Sequence, residues 1–341
     1  MTLLKGGVDA FVEYLSLHVL TCLVPAFFIA GAISVFASQS AILKYFGPQA
    51  NKGLSYGIAS VSGAVLAVCS CTILPLFGGI YKRGAGLGPA IAFLYSGPAI
   101  NVLAIIYTAR VLGFDIGIAR AAGAILFALI IGLTMALIFR RSETGRLADM
   151  QFAVADPEDG KKWWQILLYF AVLVGILVVA ALGNWIATGI LVLALLVILW
   201  RWFTKQEIIQ WLKATTGFIK MILPWLLGGI FIAGVIGAIP GLNSAVGRVV
   251  GGNSIQANLI ASFTGALFYF ATLTEVPILS EFMKAGMGQG PALALLLAGP
   301  AISIPNMLVL RNIMGTKRTL VYISLTVIMA TFCGLLFGFI R

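Results

Sequence analysis

Charge is scarce in this sequence. Of its 341 residues, 10% are Asp, Glu, Lys or Arg and 61% are hydrophobic, whereas a soluble domain carries about a quarter charged residues. That composition excludes an ordinary water-soluble globule. Histidine is scarcer still: His18 stands alone, and no His/Asp/Glu cluster has metal-ligand spacing, which argues against a metalloenzyme. The four cysteines, Cys22, Cys69, Cys71 and Cys333, all fall inside apolar runs and offer no disulfide framework. A G-x-x-x-x-G-K-[ST] phosphate loop is missing, so ATP-driven work would need a partner chain. A basic segment with a small-residue cleavage site is missing at the N-terminus as well, so the opening run reads as a retained first span.

What the sequence has in abundance is apolar runs of about 20 residues, the length a transmembrane helix needs. Gly, Pro and charged residues divide them into ten candidate spans, near residues 11–37, 54–80, 87–108, 115–139, 163–182, 185–203, 215–239, 255–282, 288–310 and 317–340. The expected fold is therefore an all-α polytopic membrane protein of about ten transmembrane helices. The net charge of +11 comes from short Lys/Arg clusters between these runs, which suits lipid headgroups better than nucleic acid. One long polar stretch, Arg140 to Lys162, separates two halves. Alternating the sides of ten spans puts the larger share of Lys and Arg with this linker and both termini, hence in the cytoplasm of a cell whose inner membrane holds the chain. Arg311, Lys317 and Arg318 fall on the wrong side of that scheme.

Self-comparison is the most informative step. Shifted by 202 residues, Ile58 to Val102 aligns with Ile260 to Ile304 without a gap, and 19 of the 45 positions are identical. The implied organisation is a four-span repeat at 1–139, a cytoplasmic linker at 140–162, two connecting spans at 163–203 and a second four-span repeat at 204–341. Six crossings between equivalent helices would make the copies parallel. A re-entrant hairpin in part of the array, leaving eight spans, would instead invert them.

Chemistry concentrates at one depth of the repeat. Pro75, Pro98, Pro277, Pro300 and Pro305 all stand in apolar runs, where each removes a helical hydrogen bond. A freed carbonyl in hydrocarbon needs protein or a wet cavity as partner. Simple kinks are the plainer reading for any one proline; pairs flanked by Gly, Ser and Asn favour a solute path. Ser96-Gly97-Pro98 and Ala298-Gly299-Pro300 each suit the start of a half-helix, whose positive end would favour an anion or electron-rich group. Cys69-Ser70-Cys71-Thr72-Ile73 aligns with Ala271-Thr272-Leu273-Thr274-Glu275, so a thiol pair in one copy matches a carboxylate in the other. Thiolates suit thiophilic cations, although free Cys also packs as a small hydrophobe, and both thiols reach one ligand only if the Pro75 region unwinds. Glu275 is costly in a span, a functional candidate by default, and fit to exchange a proton or bind a cation. Asn101, Ser303 and Asn306 can donate to a substrate or bond between helices.

Residues 69 to 101, CSCTILPLFGGIYKRGAGLGPAIAFLYSGPAIN, and their echo at 271 to 306 resemble the predicted permease family of YraQ-like proteins and ArsP-type organoarsenical efflux permeases. The resemblance implies a multi-pass permease without cofactor, effluxing a trivalent arsenical or other thiophilic species in some members, with Cys69 and Cys71 as thiol ligands. Thr272-Leu273-Thr274-Glu275 stands where many members place a further Cys, which counts against a three-thiol arsenical site here. The residues expected at the site are thus Cys69, Ser70, Cys71, Thr72, Pro75, Ser96, Gly97, Pro98, Asn101, Thr274, Glu275, Pro277, Gly299, Pro300, Ser303 and Asn306, with Glu275 coupling transport to a proton or cation. The expected partners are the bilayer and a small solute, with homo-oligomerisation left open. A channel, a membrane subunit of a larger export complex and an intramembrane thiol oxidoreductase are the alternatives.

Overall fold

A computed structural model describes residues 23–36, 50–66, 70–100, 102–143, 163–181, 183–237, 249–267, 275–284 and 286–340, with Lys5, Val8, Asp9, Val12 and Gly145 as isolated positions. The chain is an all-α polytopic membrane protein. Its helices in order are α1 (Val24–Phe36), α2 (Lys52–Leu66), α3 (Ser70–Lys82), α4 (Leu87–Ala99), α5 (Val102–Val111), α6 (Phe114–Ile138), α7 (Trp163–Ala181), α8 (Trp185–Trp202), α9 (Lys205–Gly237), α10 (Ile255–Leu267), α11 (Glu275–Lys284), α12 (Gln289–Ile302), α13 (Ile304–Met314) and α14 (Thr316–Ile340). By length and composition, Phe114–Ile138, Trp185–Trp202, Lys205–Ile232 and Thr316–Ile340 can each cross a membrane. Two bent pairs, α4 with α5 at 45° and α12 with α13 at 44°, pass the same test when each is taken together, as a broken span or a re-entrant loop.

Outward faces carry large apolar groups: Ile186 is 81% exposed, Trp200 85% and Ile340 80%. Polar side chains instead turn inward, among them Ser96, Arg120, Asn258, Glu275 and Asn306, all nearly fully buried. That inside-out pattern fits a hydrocarbon solvent.

The first and last long helices of the two halves stand in a fixed relation. Helix α6 starts and ends 202 residues before α14. Left-handed glycines that admit the turns recur at the same spacing, Gly84 (φ 102°) with Gly286 (φ 107°) and Gly113 (φ 115°) with Gly315 (φ 85°). Yet α6 and α14 run antiparallel. Arg318, in the first turn of α14, pairs at 2.9 Å with Glu143, just beyond the end of α6. Near the start of α6, a methyl placed on Gly123 would stand 3.3 Å from Cys333 Sγ, which lies near the end of α14. The parallel copies expected from six crossings are therefore not what packs here.

The reason lies in α2–α3 and α10–α11. Ala50, Lys52 and Ser55, at the start of α2, line one cavity with Gly86, Arg140 and Glu143. Tyr81, at the end of α3, donates to Glu143 Oε1 at 3.0 Å. Both ends of α2–α3 thus sit at the linker end of the bundle, and the segment is a hairpin rather than a crossing. In the second half, Gly251 bridges antiparallel to Met287 and Gly288 N–H donates to the Val250 carbonyl at 3.2 Å. Asn253 donates to the Leu335 carbonyl at 3.2 Å, which puts both ends of α10–α11 at the opposite end, beside the end of α14. Helix α14 therefore ends at the face opposite the one where α6 ends.

Candidate functional site

The two hairpins carry the first turns of α3 and α11 into the bundle, where Thr72, Ile73 and Glu275 are buried. In the second, Glu275 opens α11 and is fully buried, where a helix N-terminus favours its negative charge. It meets Arg120, two turns into α6 and also fully buried, through an Nη2–Oε1 contact of 2.5 Å. Arg120 further donates to Thr108 Oγ1 on α5 at 2.9 Å and, at a longer 3.5 Å, to the Ala99 carbonyl that ends α4. One guanidinium thereby joins the broken α4–α5 span, α6 and the opposite half's hairpin. Removing two charges from water costs several kcal/mol per ion, and their attraction offsets this only when the remaining hydrogen bonds are also satisfied. Here Arg120 has its partners, whereas Glu275 Oε2 has none.

The same position in the second half is built without charge. Tyr322 lies 202 residues after Arg120 and is likewise buried, and its hydroxyl donates to the Ala301 carbonyl at 3.4 Å. Ala301 corresponds to Ala99, and Ile73, buried at 1% exposure, corresponds to Glu275. A charged latch on one side thus faces a neutral one on the other. Between them α4 crosses α12, where Tyr95 donates to the carbonyl of its own counterpart, Leu297, at 3.1 Å.

The expected site residues divide sharply. Glu275 stands at the centre. Gly299 lies beside it: a methyl there would stand 3.9 Å from Glu275 Oε2 and 3.7 Å from the Gly265 carbonyl. Ser303 closes α12 and opens α13, with Pro305 in the following turn; its hydroxyl is buried without a partner. Asn306 donates to the Pro300 carbonyl at 3.0 Å, which leaves its Oδ1 buried and unpartnered. Ser96 is otherwise engaged, bonding the Ala59 carbonyl of α2 at 2.9 Å, and so ties helices together. Thr72 and Pro75 are buried within a regular α3, so the unwinding expected around Pro75 does not occur among the described residues.

Two further expectations are corrected. Pro98 and Pro300 lie inside α4 and α12, near their ends, and the half-helices begin beyond them at Val102 and Ile304. The bends therefore fall just after Ser96-Gly97-Pro98 and Ala298-Gly299-Pro300, and terminal carbonyls of α4 and α12 meet Arg120 and Tyr322. Pro277 occupies the first turn of α11 and is exposed, where a missing N–H disturbs nothing. Cys69, Asn101 and Thr274 lie outside the described residues, as do the side chains of Ser70 and Cys71. No cluster of metal-binding side chains occurs among the described residues.

Arg120, Thr108, Tyr95 and Tyr322 escaped the sequence reading. The signal for Arg120 was faint: an arginine in the first part of an apolar run, aligned with a tyrosine once the 202-residue shift is carried past residue 102.

Helices long and apolar enough to cross a membrane, packed around a buried ion pair, are those of a multi-pass membrane protein. The chain belongs to the predicted permease family ArsP_1, whose model matches residues 6–339. It is 44% identical over 359 residues to the UPF0718 protein MJ0584 of Methanocaldococcus jannaschii, covering 100% of this chain and 97% of that protein. It is 24% identical over 288 residues to the UPF0718 protein YraQ of Escherichia coli, covering 84% of this chain and 67% of that one. No solved structure matches.

Proposed function

We propose that this permease is a secondary transporter exporting a small solute between two inverted copies of one repeat, with the Arg120–Glu275 pair as its coupling site. The observation that carries this reading is the pair itself: a buried acid and base on different halves, at a hairpin tip and beside a broken span. In the sealed form Glu275 is held by Arg120. Proton or cation binding at Glu275 releases the guanidinium, and the halves separate on one side of the membrane. Cys69 and Cys71 align, at the 202-residue shift, with the residues just before Glu275, and a thiol pair there supports a thiophilic cargo such as a trivalent arsenical.

The topology that goes with this reading is eight spans plus two re-entrant hairpins. Lys52, Lys82, Arg83, Arg140, Arg201, Lys205, Lys317 and Arg318 gather at the linker end, against Arg110 and Lys284 at the far end. Positive charge on the cytoplasmic side of the inner membrane then puts the linker inside and the end of α14 outside. Arg311, Lys317 and Arg318, misplaced under ten spans, fall into line.

The test is flux in proteoliposomes, screening methylated and inorganic trivalent arsenicals, Cu(I) and Zn(II). Wild type moves at least one of these down an imposed pH gradient, Glu275→Gln abolishes the dependence on that gradient, and Cys69→Ser/Cys71→Ser lowers apparent affinity. Flux untouched by either substitution would refute the assignment.

A further inference from the structure

A second polar site lies away from the Arg120–Glu275 pair, at the linker end of α4. A cavity of about 360 Å³ opens there between the starts of α2 and α4 and the last turns of α6. Two cations reach it, the exposed Lys52 and Arg140. Helix α4 begins at its floor with Gly86 as N-cap, and no side chain caps its first amides with a hydrogen bond. The Ser55 hydroxyl lines the same space, is buried at 1% residue exposure, and has no hydrogen-bond partner. Among its described lining residues the one acid is Glu143, which is bound by Arg318 and Tyr81. Amide donors at a helix N-terminus, the unpartnered Ser55 hydroxyl and the Lys52 ammonium together select an oxyanion.

The fold alone does not demand this chemistry. The matching cavity at the far end, formed by Gly252, Asn253, Gly288, Gln289, Gly290 and Gly338, carries no cation among the described residues. Residue 254, the counterpart of Lys52, is a serine. Leu133 and Leu137, 41% and 71% exposed on the outer face of α6, form the rim. An apolar rim on a cationic cavity matches a phosphate group that brings acyl chains with it.

We propose that this cavity binds a phosphate-type oxyanion, carried by the headgroup of an anionic phospholipid in the leaflet at the linker end. The chemistry would equally fit free phosphate; the lipid-facing rim favours the headgroup. The proposal is independent of which solute crosses the protein.

Native mass spectrometry of the whole protein, delipidated and re-exposed to phosphatidylglycerol, phosphatidylcholine or inorganic phosphate, tests it. Wild type is expected to retain phosphatidylglycerol over phosphatidylcholine. Lys52→Gln should lower that retention roughly fivefold, the weight of one basic residue at a charged surface, and Ser55→Ala should lower it less. Lys284→Gln, at the far end, should leave it unchanged. Equal retention of both lipids, loss in Lys284→Gln to the same degree, or binding of inorganic phosphate without lipid retention would overturn the lipid assignment. Flux assays report on Glu275 and the Cys pair and not on Lys52 or Ser55, so failure here and failure of the transport reading are separable.

Discussion

Arg120 and Glu275 bind as a unit, and the energetics of buried pairs predict how they respond to substitution. Removing one partner strands the other charge in a low-dielectric interior, which costs about 3–5 kcal/mol, whereas replacing both by apolar groups of similar volume is often neutral or stabilising. Arg120→Met alone should therefore lower the unfolding temperature in detergent markedly, and Arg120→Met/Glu275→Met should recover most of the loss. Transport should not recover in the double variant, because coupling needs the ionisable group rather than the packing. Glu275 was legible in the sequence because a lone carboxylate in an apolar run is conspicuous. Arg120 was hidden by its position: it lies near enough to the start of its span to pass for a residue reaching back to the interface. Its partner, 155 residues further on, is a tertiary fact that no local pattern encodes.

At the scale of helices, glycine sets the spacing. A methyl on Gly88 would collide with the Tyr56 hydroxyl and come within 2.8 Å of Ala136 Cβ and 2.9 Å of the Gly132 carbonyl. Gly88→Ala should push α4 away from α2 and α6 and cost about 1–3 kcal/mol, as overpacking usually does. Gly189→Ala on α8, where nothing lies within 4 Å, is the matched control and should be neutral or slightly stabilising; thermal unfolding compares them. Most helices could be read from apolar length and punctuation. The hairpins could not. Both limbs of α2–α3 are apolar, so hydropathy registers one continuous run at 54–80 and is blind to α2 starting and α3 ending at the same end of the bundle. The same blindness merged α10 and α11 into one span at 255–282.

For the molecule as a whole, those two reversals change the parity of everything between the copies. The 202-residue repeat was visible in the sequence down to its glycines, but its sense depended on whether two segments cross or turn back. With both turning back, α6 and α14 oppose one another, and Arg318 finds Glu143. This gives a prediction of topology: a reporter inserted in the 140–162 linker and one fused after Arg341 should fall on opposite sides of the membrane, the linker in the cytoplasm. Ten crossings would put both on the same side, and dual-reporter fusions or thiol labelling from either side distinguish the two.

The central claim is that solute movement is coupled through Glu275. Its most direct test is solute-dependent proton movement, followed with an entrapped pH dye in proteoliposomes that carry an imposed gradient of whichever solute the protein moves. Wild type should shift the internal pH when solute flows, and Glu275→Gln should lose that shift while still binding solute. A pH shift of undiminished size in Glu275→Gln would contradict the account.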